Sequence, residues 1–339
     1  MKKSRVLVFL IVGVLVAVLA ATGCAAPAPE LPDVTWQFTT CYHAPEDSQM
    51  AAYWMLKDAV LARTNGKFTI NMACDGELGI KRDEFAGAAI EGVIQGSEMS
   101  ASFAATTWPF QGALALPYIV SSPEEAAKMQ AALAPMREEA YAKVGLMRLS
   151  NYVWVSQEMF VNQKVDDVIN LGGLKIRGWS DIMLDWIKAA GGVPVSMASS
   201  EVYMAIQRGV ADGGITGSAS ALTSSWYEVA PYAHLIHFMY VISDVIINKA
   251  AFDALPKEYQ DILLDEGRNM TENFKAEYAK EEATAWDEWR AGGGEVVELT
   301  PEQYSKLKQM GIALWDQWVE KTGPEGKEAV DIIRKALGI

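Results

Sequence analysis

From Lys257 to Ala291 the chain carries no proline and a single interior glycine, Gly267. Nothing in this stretch stops a helix. At about 1.5 Å per residue such a helix reaches roughly 50 Å, more than the width of one small domain. One helix therefore lies across two domains, and the 339 residues of the chain suffice for two cores.

The rest of the sequence alternates strand and helix. Val34, Trp36 and Phe38 alternate in a predicted strand over 34–40. A helix over 47–63 carries Ala52, Met55, Leu56, Ala59 and Val60 on one stripe and stops at Asn65-Gly66. A strand over 67–73, a helix over 82–95 and a strand over 97–103 complete a βαβαβ run, which requires a parallel sheet with right-handed crossovers. A second set begins with apolar runs at 144–149, 151–156 and 158–162. A strand over 174–177 leads into a helix over 180–190, capped by Gly191-Gly192. A strand over 193–197 follows, then a helix over 200–208 with Ser199 or Ser200 as its cap. Residues 226–232 read as helix or loop, 240–248 as a long strand, and 301–337 as two amphipathic helices. The expected fold is α/β.

Lys2, Lys3 and Arg5 precede an almost unbroken apolar run, Val6 to Thr22, and then Gly23-Cys24. Residues 1–23 read as a secretory signal peptide, with Cys24 as the lipidated first residue of the mature chain and 24–33 as a Pro/Ala tether. The alternatives are ordinary cleavage near Ala25-Ala26 and an uncleaved anchor, against which the small-residue end argues. No second run is long enough to cross a bilayer, so the expected location is extracytoplasmic, at the periplasm or cell surface. Net charge is −14 with no basic cluster beyond the first residues, which argues against a nucleic-acid partner. Cys41 and Cys74 each end a predicted strand, VTWQFTTC and KFTINMAC. If those strands are parallel neighbours, a disulfide is expected in an oxidising compartment; the alternative is two buried thiols.

Catalytic and metal signatures are missing from the sequence. His43, His234 and His237 come without an HExxH or a cysteine pair, so no metal site is expected. There is no nucleophile elbow, no phosphate loop and no dinucleotide fingerprint. The glycines at 292–294 follow a helix and read as a turn, and Glu281-Glu282 reads as a solvated face. Neither enzyme activity nor a cofactor is expected. What stands out is Arg177, at the carboxyl end of the strand Leu174-Lys175-Ile176 and beside Trp179. Open α/β sheets bind ligands at such strand ends. An arginine there either completes a structural ion pair or grips an anion through its planar fork.

The segments LGGLKIRGW, AAGGVPVSMASSEVYMAIQRGVADG and WYEVAPYAHLIH resemble the DctP-like solute receptors of tripartite ATP-independent periplasmic (TRAP) transporters. TNGKFTINM, GELG, ALPYIV and DALPKEYQDIL extend the resemblance from about Val34 to Trp318. It implies a two-domain, type II periplasmic-binding-protein-like fold. Domain I would hold 34–153 plus 242–281, and domain II 154–241 plus 282–339. It also implies an enclosed ligand handed to TRAP membrane subunits, with Arg177 clamping a ligand carboxylate. Against the family pattern, Gln157 stands where many sugar-acid receptors have another arginine, Thr216 where they have asparagine, and Ser100 near a polar or acidic position. Ile215 falls where a glutamate bridges ligand and cation in some relatives, which speaks against a metal bridge. Trp154, Trp179, Trp108, Tyr42 and Trp226 are candidate lining residues. One cation among aromatic faces suggests a small monocarboxylate with an apolar or aromatic portion. Two other readings are a ligand-sensing module for a signalling partner and, with less support, a secreted enzyme on the same scaffold.

Overall fold

The computed structural model describes residues 30–41 and 50–339; Cys24, Tyr42 and His43 lie outside them. The body from Val34 to Ile339 forms one compact unit. Its first part runs β1 (Val34–Thr39), α1 (Ala51–Arg63), β2 (Phe68–Ala73), α2 (Phe85–Ile90), β3 (Gly96–Ser100), α3 (Ala101–Ala104), α4 (Pro123–Lys143) and β4 (Leu146–Val161). Next come β5 (Lys175–Gly178), α5 (Asp181–Ala189), β6 (Val193–Ser196), α6 (Ser199–Gln207), β7 (Gly213–Gly217) and α7 (Ser218–Thr223). The chain closes with β8 (Tyr232–His234), β9 (Tyr240–Asn248), α8 (Lys249–Asp253), α9 (Lys257–Ala291), β10 (Glu295–Val297), α10 (Pro301–Thr322) and α11 (Pro324–Leu337).

The strands join in the order β2-β1-β3-β9-β4-β7-β5-β6. The parallel trio expected at the start is present, with β1 between β2 and β3. A second parallel trio, β7-β5-β6, lies at the other end. Between them β9 and β4 pair antiparallel. β4 is one strand of 16 residues where the sequence suggests three short runs. Its first part pairs β9, its last residues pair β7 and β8, and β-bulges after Arg148 and Val153 let it turn from one trio to the other.

The long helix α9 has the predicted bounds and 35 residues. It packs on α1 and β4, and farther along on α7 and β10. A side chain at Gly267 would meet the Leu149 carbonyl at 2.6 Å, so this one interior glycine allows helix and strand to touch. One core gathers Phe85, Leu133, Tyr141, Ile246 and Trp315. Another gathers Met159, Ile176, Trp186, Ile215 and Phe238. The terminal helix α11 packs on α4 and contributes Val330 and Ile333 to the first core.

Cys41 and Cys74 are thiols in the structure, which corrects the expected disulfide. The register explains why. Thr39 lies opposite Ala73, so the neighbour of Cys74 is Thr40, and Thr40 N–H donates to the Ala73 carbonyl at 3.1 Å. Cys41 is one residue beyond that level, and a one-residue offset turns a side chain to the other face. Thiol titration of a chain starting at Leu31 should give two thiols per molecule after denaturation. Zero would restore the bridge.

Arg137 on α4 and Asp244 on β9 are fully buried and meet at 2.6 Å. Tyr141 Oη donates to Asp244 Oδ2 at 2.8 Å, and Arg137 Nε donates to Gln111 Oε1 at 3.1 Å. Burial is the main force pushing the Asp244 carboxyl upward from its ordinary range. Arg137→Met leaves that carboxylate only the distant Arg148 guanidinium, 3.9 Å away, as a counter-charge and should lower stability by about 3 kcal/mol in urea unfolding. Adding Asp244→Leu should recover much of the loss, because no unpaired charge then remains.

Candidate functional site

A cavity of about 260 Å³ lies where the carboxyl ends of strands from both trios approach. β5 brings Arg177 to it. Ile176 goes into a core, and the next residue faces the other way, as strand alternation requires. In register, Arg177 stands beside Gly214 on β7 and Val195 on β6. A Cβ at Gly214 would come within 3.1 Å of the Trp226 ring and 3.4 Å of Arg177 Cβ, so a glycine here makes room for the arginine.

Arg177 is 3% exposed. Its Nε donates to the Met197 carbonyl at 3.2 Å and its Nη1 to the Ile215 carbonyl at 3.4 Å. Among the described residues no carboxylate forms an ion pair with it. Burial, and then the nearby charge of Arg82, lower its pKa to about 10, so it remains protonated at neutral pH. A buried cation whose fork has only two neutral, rather long contacts is well suited to receive an anion.

Gln157 on β4 lines the same cavity as Arg177, and its Oε1 accepts a 3.2 Å bond from Trp179 Nε1. Trp179 in turn tilts against Phe103, with ring centroids 5.9 Å apart. Trp154 faces the cavity and packs on Tyr152 and Tyr278. Thr216 lines it from β7, and Ser100 from the end of β3, where its hydroxyl also caps α3 by accepting from Phe103 N–H at 3.4 Å. Arg177, Gln157, Trp154, Thr216, Trp179 and Ser100 are thus brought together.

Trp108 and Trp226 are elsewhere, a correction to the sequence reading. Trp108 packs edge-on against Tyr141 at 5.1 Å in the first core. Trp226 is fully buried, edge-on to Phe160 at 5.9 Å. Both are apolar anchors of helices or turns and have no face left for a ligand.

Two charged groups in the lining escaped the sequence reading. Arg82 reaches in from the turn before α2, so the cavity holds two guanidinium groups where one was expected. Arg82 already binds Asp75, through Nε at 3.1 Å and Nη2 at 2.8 Å, and its guanidinium lies 5.7 Å from the Phe103 ring. Glu98 sits within β3, 1% exposed. Its Oε1 accepts a 2.7 Å bond from Ser243 Oγ on β9. Cys41 lies in the same lining, its thiol pushed well up by burial and then by Glu98. The wall on the β7 side adds the hydroxyls of Ser199, Ser200, Ser220, Thr223 and Ser224. Ser199 and Ser200 form the first turn of α6, whose cap position falls on Ala198 instead. The available signal for Glu98 was an acidic residue inside an otherwise small and apolar strand, GSEMS.

Residues 40–322 match the family described as bacterial extracellular solute-binding protein, family 7. A solute-binding protein of Albidiferax ferrireducens is 34% identical over 38% of this chain and 39% of its own length. The C4-dicarboxylate-binding periplasmic protein DctP of Rhodobacter capsulatus is 32% identical over 47% of this chain and 48% of its own. The matched segments thus span less than half of either relative. In structure, a Bordetella pertussis extracytoplasmic solute receptor binding pyroglutamic acid superposes with a TM-score of 0.81. It is 24% identical and covers 89% of this chain and 99% of its own. The fold is therefore the two-domain α/β architecture with a cleft between the domains, as expected. By a family match that spans most of its length, the chain belongs to family 7 of the bacterial extracellular solute-binding proteins.

Proposed function

We propose that this protein is an extracytoplasmic receptor that captures an organic acid by its carboxylate and delivers it to TRAP membrane subunits. The observation that carries this reading is Arg177, a 3% exposed guanidinium lining the cavity whose hydrogen-bond partners among the described residues are two main-chain carbonyls. A ligand carboxylate supplies two parallel charge-assisted bonds and replaces the water lost on burial. The acid ligands named for the Rhodobacter and Bordetella relatives support the class. The protein does no chemistry on its ligand.

The ligand is a monocarboxylate with an apolar or ring-bearing body. Phe103, Trp154, Val155, Trp179 and Val241 offer the apolar part of the lining. The two domains comprise 34–153 plus 242–281 and 154–241 plus 282–339, with α11 docked back on the first. They close on the ligand about the β4 and β9 crossings. Residues 1–23 are a signal peptide, and Cys24 carries a lipid anchor through the tether 24–33.

Arg177→Lys retains charge but loses the fork, so affinity for the acid should fall at least about tenfold with folding intact. Arg177→Ala should abolish binding. A thermal-shift screen of carboxylic acids followed by calorimetry measures both, and unchanged affinity in Arg177→Ala rejects the clamp. In the same assay ring-bearing monocarboxylates should bind more tightly than C4-dicarboxylates or uronic acids, with or without calcium. A second carboxylate in this cavity faces Glu98 and costs several kcal/mol unless it finds its own donor. Micromolar binding of a dicarboxylate without binding of apolar monocarboxylates reverses the ligand assignment.

A further inference from the structure

Glu98 and Arg177 line one cavity from opposite trios, Glu98 on β3 and Arg177 on β5. Glu98 is too deeply buried to be a solvated charge. All five residues of β3 are buried, and its diagonal neighbour Ser243 donates to it at 2.7 Å. The thiol of Cys41 and the hydroxyl of Tyr152 also favour its charged form. Burial pushes its carboxyl up, while these donors and the charge of Arg82 pull it down. Among the described residues its hydrogen-bond partner Ser243 donates to it, so it serves there as an acceptor. A carboxyl has about four lone-pair positions, and those directed into the cavity are served by whatever occupies it.

We propose that Glu98 is a specificity residue that receives an N–H or ammonium group of the ligand, making the preferred ligand a nitrogen-bearing monocarboxylic acid. This rests on the reading of Arg177 as the carboxylate clamp. Such a ligand is held at both ends, its carboxylate by β5 and its donor by β3, and so it bridges the two trios. An acid that presents an ester or ring oxygen to Glu98 sets acceptor against acceptor and leaves a buried carboxyl unserved. A purely hydrocarbon ring removes water from Glu98 and returns nothing. A dicarboxylate brings like charge to it. A buried group built to bond a donor rejects an analogue that lacks the donor more strongly than an apolar pocket rejects a change of size.

The test compares ring acids of one shape: a five-membered lactam carboxylate, the corresponding lactone carboxylate and cyclopentanecarboxylate. Calorimetry is run on the intact mature protein, on Glu98→Gln and on Arg177→Ala. The wild type should bind the lactam acid about tenfold or more tightly than the lactone and the hydrocarbon acid. Glu98→Gln should reduce that preference to less than about threefold, since the amide oxygen lacks the charge and the amide nitrogen is itself a donor. Arg177→Ala should weaken all three alike. If the acids bind the wild type through Arg177 with no preference for the N–H, the role of Glu98 is overturned while the clamp stands. Preference for the lactone overturns it too, and marks Glu98 as a protonated donor. Failure of every acid to bind rejects the clamp and this inference together. The wild-type comparison decides the matter even if Glu98→Gln fails to fold.

Discussion

The cavity half of this structure is organised around a guanidinium that has been taken out of water with no counter-charge among the described residues. Arg177 has two main-chain carbonyls at 3.2 and 3.4 Å and a second cation, Arg82, close enough to lower its pKa. Leaving a buried charge in that state costs several kcal/mol, which a protein fold tolerates where a ligand recovers it. The neighbouring choices follow from it. Gly214 removes the side chain that would crowd Arg177 against Trp226. Gly217 does the same for Gln157, since a Cβ there would lie 3.3 Å from Gln157 Nε2. Trp179 fixes the Gln157 amide by donating to its oxygen, and the amide nitrogen donates to the Val155 carbonyl at 3.4 Å with a second N–H remaining.

The frame that carries this site is the antiparallel pair β4 and β9. Each is long, and together they join two parallel trios that would otherwise be separate sheets. Ligand groups at the carboxyl ends of β3 and β5 therefore belong to different trios but are held by one continuous hydrogen-bonded path. The buried Arg137–Asp244 pair ties α4 to β9 within that path, and α9 lies along its side. A ligand bonded at both ends, as proposed, would add direct connections across the gap and so would favour whichever arrangement of the trios lets both bonds form.

Local pattern was enough for elements whose fate is decided locally. The bounds of α9 and β9 follow from uninterrupted periodicity and apolarity. The helix expected over 82–95 is shorter, because Gly92 takes φ 74° and ends it, after a turn of 3-10 helix over 82–84. β4 looked like three runs because Ser150, Asn151, Ser156 and Gln157 interrupt its apolar residues; three of those four are buried at the crossing between trios. The cysteine pairing depended on register, which a one-residue shift reverses and composition does not reveal. Of the site, Arg177, Trp179 and Gln157 were legible through their place at strand ends and the family pattern. Glu98 and Arg82 were not, since a charged residue declares itself buried only when the chain around it is assembled. The tryptophans show the converse: Trp108 and Trp226 have the composition of a binding face and the location of a core.

The proposed anionic ligand would approach a chain whose net charge is −14. That acidity argues against binding only if the long-range field governs it. At physiological ionic strength exposed charges are screened over about 8 Å, so the surface carboxylates act weakly on a ligand already inside the cleft. Arg177 acts at contact, in a site with little water to weaken it. The acidic surface therefore slows encounter at low salt more than it weakens the bound state. The same argument gives Glu98 its weight in the proposal: among the described residues it is the one carboxyl in the cavity lining, inside the unscreened region, so under that proposal it would govern which acids remain bound although it is one of 43 acidic residues.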